Sequence, residues 1–73
     1  MPNYDFYIVP AGGDRTQSIF NGSVYGAPNL DSARDAAQTD RYEALVGKSG
    51  LEVIVFESGG ETELWRGPYL GTR

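Results

Sequence analysis

Four glutamates, Glu52, Glu57, Glu61 and Glu63, fall within residues 52–63, and no basic residue separates them. Carboxylates gathered in this way can do three kinds of chemistry. They can exchange protons with a substrate if a neighbour holds one of them neutral. They can hold a hard cation. They can also present negative charge to a basic partner. The first use needs a close pair, and Asp5 with Glu57 is the candidate, although a chain with ten acidic residues offers many such pairs. The second needs acids at alternate positions of one loop, whereas Asp14 and Asp31 are scattered. The third fits best. Two strands joined by Ser58-Gly59-Gly60 set the acids along one ridge, or across both faces near an edge, and a ridge can imitate nucleic-acid phosphates in a partner's basic groove. The same charge has a plainer use, because a charged edge strand resists edge-to-edge pairing.

The chain has neither histidine nor cysteine. That removes Ser–His–Asp and Cys–His nucleophile systems, disulfides and ordinary zinc sites. No cofactor and no metal ion is expected, and any catalysis would rest on carboxylates. The loop Pro10-Ala11-Gly12-Gly13-Asp14-Arg15 follows a strand and carries a cation, but it lacks the GxxxxGK[ST] spacing and no helix starts directly after it. Aromatic residues are the other candidates. Tyr4, Tyr7, Tyr25, Tyr42, Trp65 and Tyr69 are too many for so small a domain to bury completely, and tyrosine and tryptophan are enriched at interface anchors. Trp65-Arg66 beside Pro68-Tyr69 reads as such an anchor; alternatively, Trp65 plugs the core. Asn21 and Tyr25 join them if the segment around Asn21-Gly22 faces solvent. The candidate contact residues are therefore Glu52, Glu57, Glu61, Glu63, Trp65, Tyr69, Asn21 and Tyr25.

These residues need elements to hold them. The 73 residues form one domain, 1–73, near the lower size limit for a core without staples. Tyr4-Asp5-Phe6-Tyr7-Ile8-Val9 alternates as a strand and places Tyr4, Phe6 and Ile8 on one face. Its other face, Asp5, Tyr7 and Val9, is partly wet or covered by something else. Ala11 to Ser18 reads as a polar connection that flexes at Gly12-Gly13. Ile19-Phe20 and Val24-Tyr25 flank Asn21-Gly22, the pair that best tolerates a type I′ turn, so a small hairpin is expected there. One helix is expected over residues 30–47, capped by Asp31 or Ser32, with Ala33, Ala36, Ala37 and Ala44 on one arc and Gly47 as its C-cap. Asp40 intrudes on that arc, and the alternative is a restart at the capping-box-like Asp40-Arg41-Tyr42-Glu43. Leu51 to Phe56 is continuously apolar from Val53, as in a central strand. Glu63 to Arg66 is its antiparallel partner and stops at Gly67-Pro68. Tyr69-Leu70 can fold back over the sheet edge. The architecture expected is α+β: a three- to four-stranded, mostly antiparallel sheet with one helix packed on a face.

The net charge of −4 disfavours direct nucleic-acid binding. No stretch has the roughly 18–20 apolar residues needed to span a bilayer, and Met1-Pro2-Asn3-Tyr4 opens no basic leader. A cytoplasmic location is expected, in which the sequon Asn21-Gly22-Ser23 has no glycosyltransferase to meet.

The 73-residue acidic, cysteine-free chain, its strand–hairpin–helix–hairpin plan and the segment GLEVIVFESGGETELW resemble small phage-encoded accessory proteins, among them anti-CRISPR proteins. The resemblance implies a non-catalytic module that binds and blocks, or adapts, a host protein with a basic surface. It carries no residue-by-residue correspondence. Two other classes stay open: a nucleotide or metabolite pocket under the Pro10–Pro28 segment, and a carboxylate-dependent enzyme. Pairing of edge strands across a two-fold axis would give a homodimer.

Overall fold

The computed structural model describes residues 3–72. Strands β1 (Tyr4–Pro10) and β2 (Phe20–Val24) precede helix α1 (Leu30–Thr39), and β3 (Leu51–Glu57) and β4 (Glu63–Pro68) follow it. Single 3₁₀ turns lie at Arg15–Gln17 and Glu43–Leu45. The four strands form one sheet in the order β2-β1-β3-β4, and each neighbouring pair is antiparallel. This is the expected α+β plan with a four-stranded sheet and one helix.

The alternation of β1 places Tyr4, Phe6 and Ile8 in the main core with Val53 and Val55 of β3 and Ala33 and Ala37 of α1. Small alanines let the helix approach the sheet closely, and both are fully buried. The other face of the sheet has a core of its own, formed by Val9, Ile54 and Phe56 with Tyr7 against them. That second layer explains why β3 is apolar at consecutive positions: both of its faces are covered.

Four sequence expectations are corrected. Asn21-Gly22 is not a turn. Both residues lie inside β2, opposite Tyr7 and Phe6 of β1, and neither is among the residues with positive φ. The alternation of β1 needs a continuous partner, and Gly22 provides the space for a ring: a Cβ there would sit 2.8 Å from Phe6 Cζ. The Ala11–Ser18 connection is likewise built, with an Asp14–Gln17 capping box around its 3₁₀ turn.

The single helix over 30–47 is also corrected. It begins at an Asn29 cap, whose side chain accepts from the Ser32 N–H, and ends at Thr39 with Asp40 extended. No capping box restarts it, since the following 3₁₀ turn has Tyr42 at its N-cap without a side-chain hydrogen bond. Ala44 is consequently exposed. What ends the helix is the segment after β4. Leu70 and Gly71 N–H groups donate to the Gln38 carbonyl, at 2.9 and 3.1 Å, and the Gln38 side-chain amide donates to the Pro68 carbonyl at 2.8 Å. The Tyr69 hydroxyl donates to the Asp40 carbonyl at 2.8 Å. Finally, β4 runs through Gly67 to Pro68 rather than stopping before them.

Candidate functional site

The segment after β1 is a clasp over the second face of the sheet. The Gly12 N–H donates to Glu52 Oε1 at 3.0 Å. Arg66 donates to the same oxygen at 2.8 Å and to the Gly13 carbonyl at 2.7 Å. Arg15 lays its guanidinium 4.7 Å from the centre of the Phe56 ring and donates to the Gly60 carbonyl at 3.1 Å. Arg15 thus packs inward instead of waiting for an anion. The Gly12 N–H, then Arg66, hold the Glu52 carboxyl below its ordinary range. Glu52, followed by Glu63, in turn raises the affinity of Arg66 for its proton.

This clasp divides the glutamate series. Glu52 lies on the second face at one end of β3, and Glu63 lies 3.3 Å from Arg66. Glu57 and Glu61 are exposed at the other end of the sheet and form no ion pair among the described residues. Asp5 and Glu57 do not form a pair. Asp5 shares a face with Phe56, whereas Glu57 stands opposite Tyr4 on the other face. The Asp5 carboxylate accepts from the Ser23 hydroxyl and the Gly59 N–H. Among the described residues, no group of three or more acidic side chains is arranged to hold a metal ion, and no helix is long and apolar enough to cross a membrane.

The aromatic candidates separate as well. Trp65 is half-buried against the main core. Its ring covers Gly67, where a Cβ would overlap it, and Arg34 lies 5.6 Å from the ring centre on the helix side. Tyr69 is half-buried and stacks on Tyr42, with ring centres 6.2 Å apart. Tyr42 continues to Phe20 at 4.5 Å, which makes an aromatic row from β2 to the residue that follows β4. Tyr25 is 76% exposed and Asn21 is exposed.

The two edges of the sheet differ. β4 has Glu63, Arg66, Pro68 and a register shift opposite Val55 and Phe56, all devices that discourage strand addition. β2 has no charge, no proline and no bulge over Phe20–Val24. Its flanks are open too, with Ile19 45% exposed beside the 76% of Tyr25. The register sets Val24 level with Tyr4 and Glu57, so Tyr25 and Glu57 occupy the same end of the sheet. They are separated by two strand spacings, about 10 Å.

Sequence reasoning missed a groove of about 270 Å³ between the residues after α1 and those after β4. Arg41, Tyr42, Val46, Lys48 and Tyr69 are among the residues that line it. Residues 21–23, within the 10–28 segment under which a pocket is expected, line an open polar depression of about 230 Å³ together with Asp5 and Tyr7. The groove had one signal in the sequence: Arg41 and Lys48 bracket a segment that cannot stay helical once Asp40 ends α1.

No family model, no curated protein and no solved structure matches this chain.

Proposed function

We propose that this chain is a non-catalytic protein-binding module that blocks or adapts its partner, and that its contact surface is the open edge of β2 with the acidic end of the sheet beside it. The observation behind the reading is the asymmetry of the edges: β4 is protected by charge, bulge and proline, and β2 by none of them. An edge strand exposes unpaired backbone groups, and an extended segment of a partner can add to them. Tyr25 provides an amphipathic anchor, while Glu57 and Glu61 favour a partner with basic residues at the same end. The likeness to phage accessory inhibitors supports the mode of action, occupation of a partner's surface, and not any particular residue.

The test is quantitative binding to a partner recovered from the native host. Tyr25→Ala is expected to weaken binding by about tenfold or more, the size of an anchor loss above 1.4 kcal/mol. Glu57→Lys with Glu61→Lys is expected to slow association and to flatten its salt dependence. Binding that survives both changes and remains equally sensitive to salt would sink this reading.

A further inference from the structure

The basic side chains of the described residues fall into two groups. Arg15, Arg34 and Arg66 are engaged by the protein itself: Arg15 on Phe56 and the Gly60 carbonyl, Arg34 with Asp31 and Trp65, Arg66 with Glu52, Glu63 and the Gly13 carbonyl. Arg41 and Lys48 are exposed and form no ion pair among the described residues. Both stand at the same groove of about 270 Å³. Of the five described cations these two therefore have neither a carboxylate nor a ring partner among the described residues, and both line one concavity.

The rest of the groove is suited to something flat. Tyr42 and Tyr69 contribute ring surface, 23° from parallel. Leu45, which is buried, and Val46, which is 69% exposed, also line the groove and add apolar surface. Burial, followed by the nearby Asp40 charge, pushes the Tyr42 hydroxyl up to about 12. Asp40 and Glu43, the acids nearest in sequence, do not line the groove. Cations at the rim beside a ring-lined wall form a site for a ligand with an anionic head and a flat apolar body.

We propose that this groove binds a small organic anion with an aromatic body, an aryl phosphate or aryl carboxylate in class, whose anionic group is held by Arg41 and Lys48 and whose ring lies against Tyr42, Tyr69, Leu45 and Val46. No residue of β2 lines the groove, although Tyr42 touches Phe20 from inside, and its test uses none of Tyr25, Glu57 and Glu61, so it stands or falls apart from the protein-binding role.

The experiment is a titration of ¹⁵N-labelled protein with phenyl phosphate, benzoate and inorganic phosphate. Saturable shifts are expected for at least one aromatic anion at the amides of Tyr42, Val46, Gly47, Lys48 and Gly71. Inorganic phosphate is expected to bind at least about tenfold more weakly, and which aromatic anion binds tells phosphate from carboxylate. The double variant Arg41→Gln with Lys48→Gln should raise the Kd about tenfold or more, equivalent to about 1.4 kcal/mol, without a change in Tm, because neither side chain holds the fold. The proposal is overturned by shifts that do not saturate, by equal shifts around Arg15 and Arg34, by inorganic phosphate binding as tightly as the aromatic anions, or by binding that the double variant leaves intact.

Discussion

Gly22 shows how one missing side chain decides a segment. Its neighbour Asn21 makes a turn pair by local chemistry, yet the ring of Phe6 fills the space that any larger residue at position 22 would need. Gly22→Ala is expected to cost about 1–3 kcal/mol through overpacking, read as a lower denaturant midpoint with an unchanged slope. A turn glycine would lose stability through its dihedral angles instead, and here φ is not positive. The pattern Ile19-Phe20-Asn21-Gly22-Ser23-Val24-Tyr25 is therefore ambiguous on its own, and the partner across the strand pair resolves it. Tyr42 makes a second prediction at this scale. Folding raises its ionisation to about 12 from the ordinary 10, so the folded state keeps its proton longer than the unfolded one. Its contribution to stability is complete below about pH 10 and declines as pH climbs toward 12. An absorbance titration should show one tyrosine ionising near that upper value, and Tyr42→Phe should remove that step.

At the scale of elements, legibility follows the range of the forces involved. β1 and β3 are readable because each strand's own alternation or apolar run determines which faces are covered; their pairing over seven residues, Tyr4 with Glu57 through Pro10 with Leu51, is not, because alternation fixes faces and leaves the partner open. The end of α1 is not readable, because residues about thirty positions later impose it: the Tyr69 hydroxyl, the Pro68 carbonyl and the N–H groups of Leu70 and Gly71 converge on Gln38 and Asp40. Gln38→Ala should cost about 1–3 kcal/mol, since a buried side-chain bond to Pro68 is lost. Tyr69→Phe should cost about 1 kcal/mol. Both would fray the last turn of α1 by hydrogen exchange. The clasp on the opposite face responds to acid. Folding depresses the proton affinity of Glu52, so its stabilising contribution is complete above the ordinary glutamate range and is lost as pH falls through the lowered value. Glu52→Gln should therefore reduce the slope of stability against pH in acid, even though the variant is less stable at neutral pH. The sequence showed Val9, Ile54 and Phe56 needing cover, but not that Arg15 would lie over Phe56 while Gly12 and Gly13 tie down Glu52 and Arg66.

At the scale of the whole molecule, two thin cores share one sheet, and β3 is sealed between them: Val53, Ile54 and Val55 are each at most 1% exposed. Their amides should exchange only through global unfolding, while those of β2 exchange through smaller openings. A uniform exchange rate across the four strands would contradict this layering. The placement of β3 also bears on how the protein is made. β1 leaves the ribosome before its long partner, residues 51–57, and the helix that covers the shared core is synthesised in between. During that interval Phe6 and Ile8 have only the uncharged β2 beside them, and the flank of β1 destined for β3 is bare. The nascent chain thus passes through a sticky stage before its central strand arrives. Crowded synthesis, or refolding at high concentration, is where this small domain is most exposed to mispairing, and slower translation of residues 11–50 would lengthen that exposure.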